Sequence, residues 1–189
     1  MGAEQEPADL RKTARLFVAV EPPEDFRYQL MLLKKEFPGA GWTARNNLHL
    51  TLRFIGERPL RCLPLIKRAL RETRVGGFTL KMDRLGLFER SFQSILWAGL
   101  ADSEGLSALK REVDYRLSLH LGLAPEQECF TPHITLSRVK IPIPGVWRNF
   151  IKTYHPARSA FAVSSFTLFR SLLKPGGAEH VPEEIYPLA

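Results

Sequence analysis

Apolar and polar positions along the chain change period several times, and each change marks an element. Leu16, Val18 and Val20 alternate with Phe17 and Ala19, the period of two that predicts a strand. Pro22, Pro23, Glu24 and Asp25 suit the first turn of a helix. Phe26, Leu30, Leu33 and Phe37 then recur at helical spacing as far as Pro38-Gly39. A connecting loop with Trp42 and Asn46-Asn47 leads to a strand from His49 to Ile55, closed by Gly56. Leu63, Ile66 and Leu70 predict a second helix, ended by Gly76-Gly77, and Phe78 to Phe88 reads as the next strand.

The same order then returns. Ile95 to Leu100 has strand character, Asp102-Ser103-Glu104 is a helix entry, and Leu106, Leu109, Val113, Leu117 and Leu121 keep helical spacing up to Gly122 and Pro125. Phe130 to Val139 comes next as a strand, Val146 to Tyr154 as a short helix, and Phe161 to Leu173 as one long strand. A turn at Lys174-Pro175-Gly176-Gly177 precedes a last extended piece to Tyr186. The sequence strand, helix, strand, helix, strand thus occurs twice, as in a duplicated half. The expected fold is α+β, with antiparallel sheets lining a central cleft, helices outside and pseudo-twofold symmetry between two lobes. Residues 1–14 are polar and without pattern and read as a flexible leader, leaving 15–189 as a single two-lobed domain.

Composition narrows the class. The 189 residues, 44% hydrophobic and 25% charged, suit a globular protein with a proper core. A net charge of +7 favours a polyanionic partner, with RNA, DNA and nucleotides the first candidates. No stretch is long and apolar enough for a membrane span, and the start, with Glu4, Glu6 and Asp9, lacks the apolar run of a signal peptide. The expectation is a cytoplasmic monomer with no obligate protein partner. Cys62 and Cys129 are read as reduced thiols, since Cys129 and His133 lack the second ligand pair of a structural zinc site.

Two tetrads carry the chemistry: His49-Leu50-Thr51-Leu52 and His133-Ile134-Thr135-Leu136. Residues two apart in a strand share a face, so each tetrad presents an imidazole beside a hydroxyl, with the aliphatic pair turned to the core. One imidazole of two can accept a proton while the other donates one, and this suits displacement at phosphorus. The Thr51 and Thr135 hydroxyls would donate to the non-bridging phosphate oxygens. No carboxylate cluster accompanies them, so a divalent metal is not required. By strict alternation Arg53 lies in phase with His49 and Thr51, as a phosphate contact or as a solvated surface arginine. Phe17, beside Ala19, and Trp97, beside Gly99, are candidates for stacking a base, with Trp42 and Phe130 behind them. The alternative is that these rings pack under a loop. His120, His155 and His180 are read as surface or loop histidines.

The paired tetrads resemble those of the 2H phosphoesterase superfamily. Arg15-Leu16-Phe17-Val18-Ala19, Leu48 to Gly56, Thr131-Pro132-His133 to Arg138 and the closing Pro-Gly-Gly segment narrow the resemblance to the RNA 2',3'-cyclic phosphodiesterases, also called 2'-5' RNA ligases. The similarity runs from about residue 14 onward. It implies hydrolysis of an RNA 2',3'-cyclic phosphate to a 2'-phosphate without a cofactor, with 2'-5' ligation as the reverse reaction. It also implies a phosphate-holding role for Arg138. Strict alternation puts Arg138 opposite His133, so a bulge or a strand end is expected between them. A non-catalytic module holding RNA ends or nucleotides, or a phosphodiesterase for small cyclic nucleotides, stands as the alternative. Formation of product from a cyclic nucleotide separates enzyme from module, and comparing a mononucleotide with an oligonucleotide substrate separates the two enzymes.

Overall fold

The computed structural model describes residues 12–34, 40–89, 92–126, 129–139, 145–154, 159–175 and 177–189. Among these residues nine strands alternate with four helices: β1 (Thr13–Val20), α1 (Glu24–Met31), β2 (Ala40–Trp42), β3 (Leu50–Pro59), α2 (Leu63–Arg71), β4 (Phe78–Glu89), β5 (Ser94–Leu100), α3 (Glu104–Leu121), β6 (His133–Val139), α4 (Gly145–Thr153), β7 (Ala160–Val163), β8 (Ser165–Lys174) and β9 (Gly177–Pro187). The strands form one antiparallel sheet in the order β7-β4-β5-β6-β3-β1-β8-β9, with β2 also on β6. The expected two lobes are its two halves, β7-β4-β5-β6 and β3-β1-β8-β9. They join through the pair Leu50 and Ile134, the central residues of the two tetrads.

The sheet curls until its ends approach each other. One residue, Ser164, separates β7 at one end from β8 near the other, and Ala189, after β9, bonds to Val75 and Gly77 just before β4. The run expected as a single strand from Phe161 to Leu173 is therefore two, because the chain changes lobe at Ser164. The helices cover the convex face. Leu16, Val18, Val20, Leu50, Leu52, Ile134 and Leu136 of the strands pack there with Phe26 and Leu30 of α1, Ile66 and Leu70 of α2, Leu106 to Leu117 of α3, and Trp147 of α4. A second, small cluster of Phe17, Ala19 and Phe169 lies apart from this core, and it floors the concave face.

Local chemistry accounts for most boundaries. Ser103 caps α3 by accepting from the Leu106 amide at 3.4 Å, and Gly122 ends it in the left-handed conformation, φ 65°. The α1 helix stops at Met31, short of the expected Phe37: Leu33 and Lys34 bond back to Leu30 and Met31 in tightened turns, and Phe37 and Pro38-Gly39 lie outside the described residues. Thr13 and Ala14, expected in the leader, begin β1 opposite Pro59 and Arg58, and Ala14 is buried. Residues 1–11 lie outside the description, as do His155 and Gly176. Trp42, expected in a loop, sits in β2 opposite Ser137. Gly56 does not close β3; at φ 80° it carries the strand on to Pro59. β6 begins at His133 and not at Phe130, Pro132 contributing only its carbonyl, to Leu100. Cys62 and Cys129 are free thiols.

Gly86 shows how tightly the second lobe is built. A Cβ there would collide with Cζ2 of the Trp97 indole. Gly86→Ala is expected to cost about 2 kcal/mol, the usual penalty for overpacking, read as a lower urea midpoint with unchanged slope. A variant as stable as the parent would show that Trp97 is free to move.

Candidate active site

Both tetrads place their side chains as alternation requires. Leu50, Leu52, Ile134 and Leu136 are buried in the core, while His49, Thr51, His133 and Thr135 face the concave side and are partly exposed. Continuing the Leu50 and Ile134 register sets His49 beside Thr135 and Thr51 beside His133, with the two imidazoles on a diagonal. The His49 Nδ1 lies 2.7 Å from the Asn47 carbonyl, and the His133 Nδ1 lies 2.7 Å from the Thr131 carbonyl. A carbonyl only accepts, so each Nδ1 carries the proton. Nε2 is then the nitrogen that exchanges protons in both rings. The two halves position their histidines by one device.

Beyond the tetrads, strict alternation fails in the same way twice. β1 pairs Ala19 with Thr51 and Val18 with Arg53, skipping Leu52, and β5 pairs Trp97 with Thr135 and Leu96 with Ser137, skipping Leu136. Each is a bulge that buries two successive residues and reverses the phase of the strand beyond it. Leu52 and Arg53 are both buried, as are Leu136 and Ser137. The expected bulge thus returns Arg138 to the face of His133, where its charge bears on His49, His133 and His180. The matching bulge removes Arg53 from the site and puts Phe54 there, 60% exposed and with its ring 6.2 Å from Phe17.

Arg53 is consequently neither a phosphate contact nor a surface residue. Its Nη1 lies 3.4 Å from Asp114 of α3 and its Nη2 donates to the Ala124 carbonyl. Lys110 bonds Asp114 at 2.6 Å and Glu126 at 3.1 Å, and the Glu126 carboxylate accepts from the Phe54 amide at 3.3 Å. This network ties the first bulge to the segment that leads to His133.

The aromatic candidates turn out to be floor and packing. Phe17, 3% exposed, lies under His49 at 5.0 Å and stacks on Phe169 at 5.2 Å. Trp97, 6% exposed, lies under His133 at 6.1 Å, against Gly86 and beneath the Arg84 guanidinium. Neither leaves a face open to a base. Trp42 stacks on Trp147 at 6.1 Å on the core side, and Phe130 carries Lys110 over its ring at 5.7 Å. His120, expected on the surface or in a loop, lies partly buried in the last turn of α3, paired with Glu72 at 2.9 Å.

His180 is not the loop histidine expected. It sits in β9 opposite Ser171, and the curl of the sheet brings its ring within 4.9 Å of Phe17 and 5.1 Å of His49. Asn47 anchors the same strand through a 2.7 Å bond to the Ala178 carbonyl. Burial lowers the pKa of all three histidines. His49 falls to about 4, with His180, His133 and Arg138 adding repulsion, and Arg138 adds to the lowering in His133 and His180. Each of the three therefore favours its neutral form more than a free histidine does. Among the described residues no three His, Cys, Asp or Glu side chains gather as metal ligands would, and no helix is long and apolar enough to cross a membrane.

Residues 20–97 match the family model of the LigT-like phosphoesterases. The chain is 33% identical over 172 residues to the RNA 2',3'-cyclic phosphodiesterase of Thermotoga maritima, covering 86% of this chain and 89% of that one. The crystal structure of E. coli LigT in apo form superposes with a TM-score of 0.78 at 28% identity, over 94% of this chain and 99% of that one. The same E. coli protein complexed with 3'-AMP gives 0.77 at 28% identity and the same coverage.

Arg53→Met is expected to lower stability by about 3 kcal/mol, since it leaves the enclosed Oδ1 of the partly buried Asp114 without its guanidinium, as measured by denaturant unfolding. A loss under about half a kcal/mol would mean that Lys110 alone satisfies Asp114.

Proposed function

The chain belongs to the LigT-like phosphoesterases, the RNA 2',3'-cyclic phosphodiesterase family, and we propose that its cleft hydrolyses RNA 2',3'-cyclic phosphate ends to 2'-phosphates. The observation that carries this reading is the matched pair of imidazoles, each held at Nδ1 by a backbone carbonyl two residues back and free at Nε2. One neutral Nε2 takes a proton from water as the water oxygen bonds to phosphorus. The bond from phosphorus to the 3' oxygen breaks, and the other imidazole, protonated, gives its proton to that oxygen. The 2'-phosphate remains. With a 5'-hydroxyl end as the nucleophile in place of water, the same pair would take the proton from that hydroxyl, protonate the departing 3' oxygen and leave a 2'-5' linkage.

The surrounding groups support this division of labour. Thr51 and Thr135 supply hydroxyls beside the imidazoles, and Arg138 supplies the positive charge that draws in and holds the phosphate. Phe54, exposed on the same face, offers its ring to the terminal base. A nucleotide-sized ligand agrees with the 3'-AMP complex of the E. coli relative. The free thiols accord with a reducing compartment such as the cytoplasm.

Replacing His49 or His133 with Ala is expected to lower turnover of a 2',3'-cyclic phosphate-ended RNA by a hundredfold or more, about the contribution of one general acid or base. The phosphate position is read in the product, and full activity in either variant would defeat the proposal. The pH profile is a second check. The working enzyme carries one proton on the pair, a form that exists between the two macroscopic pKa values. Both histidines are lowered from 6.5, His49 to about 4. The bell of kcat/KM is therefore expected to peak below pH 6.5, losing the acid on the alkaline side and the base on the acidic side. The phosphate anion raises both values once bound, so the kcat profile lies at higher pH. A kcat/KM maximum above pH 7 would contradict this assignment.

A further inference from the structure

Each catalytic imidazole is met edge-on by a second ring. His180 meets His49 at 5.1 Å and 88°, and Phe88 meets His133 at 5.0 Å and 85°. A phenyl ring satisfies the packing on one side, so packing alone does not call for an imidazole on the other. What His180 adds is polar. It is half-buried at the edge of the cleft, its Nδ1 is enclosed without a hydrogen-bond partner, and Arg138 bears on it electrostatically.

Two imidazoles, two hydroxyls and Arg138 already match the oxygens of one phosphate. His180 stands one ring beyond His49, against Phe17, so a substrate that extends past the reacting phosphate on this side would bring its next oxygen-rich group to it. In an RNA end that group is the phosphodiester 5' to the terminal nucleotide. A mononucleoside 2',3'-cyclic phosphate has only a hydroxyl there.

We propose that His180 donates a hydrogen bond to the phosphodiester immediately upstream of the cyclic phosphate and so selects oligonucleotide ends over mononucleosides. The inference rests on the cyclic phosphodiesterase reading above and names the substrate class of that same site.

The test compares kcat/KM for a dinucleotide ending in a 2',3'-cyclic phosphate with kcat/KM for a nucleoside 2',3'-cyclic phosphate. It uses the full chain, His180→Phe and His180→Gln. Phenylalanine repeats the ring already used at Phe88, and glutamine keeps a donor. The preference for the dinucleotide is expected to fall about tenfold in His180→Phe, through KM, as for loss of one hydrogen bond to a charged group, and to recover in part in His180→Gln. A preference equal to the parent's in His180→Phe overturns the assignment, whatever the absolute loss, because a residue that only packs lowers both substrates alike. A parent chain that turns over neither substrate defeats the cyclic phosphodiesterase reading instead.

Discussion

The site depends on one antiparallel contact, the pairing of Leu50 with Ile134. Both residues are fully buried in the core shared by the helices, so a slip of either strand by one residue would turn its aliphatic pair to the cleft and its histidine into the core. Burial of four aliphatic side chains thus fixes, as a by-product, which face carries His49, Thr51, His133 and Thr135. The curl of the sheet completes the arrangement by bringing β9 round to His49. Hydrophobic packing on the convex side sets the polar geometry on the concave side.

Holding imidazoles in such a place has a thermodynamic cost. His49 stays neutral down to about pH 4 when folded, against 6.5 as a free side chain. The unfolded chain therefore binds more protons between those values, and stability is lost as pH falls through the window, by roughly 3 kcal/mol for this residue. An incoming phosphate reverses the balance, because an anion stabilises the protonated form. On the proposed reading, the desolvation that weakens the protein in acid would thus couple protonation to substrate arrival.

Sequence reasoning reached the strands, the helices and the tetrads because periodicity reports which face is buried. It failed where periodicity is broken. A bulge was expected before Arg138 because the family resemblance implied a phosphate-holding role at an odd separation from His133; nothing made the same demand of Phe54, and strict alternation through Leu52 selected Arg53. His180 was hidden for another reason. Its register against Ser171 is set by the turn between β8 and β9, but its approach to His49 crosses β8 and β1 and exists only in a curled sheet. Phe17 and Trp97 were placed on the right face, but no pattern in one strand reveals the Phe169 stacked on Phe17 or the Arg84 over Trp97.

The duplication shows most clearly in what the halves keep in common, and its use lies in where they differ. Both halves keep the Nδ1 anchor, the hydroxyl two residues on, the bulge and the ring beneath the histidine. At the bulge exit one half presents Phe54 and the other Arg138. Against the imidazole one presents His180 and the other Phe88. The floor differs too: two stacked phenyl rings under His49, one indole lying over a glycine under His133. A phosphodiester has two unlike sides, a nucleotide and a leaving oxygen, and a cleft with perfect twofold symmetry would bind it equally well in either direction. On the proposed reading, the exchanged pairs would remove that degeneracy while leaving the proton-handling groups equivalent, so orientation would be set by residues that take no part in the transfer of protons.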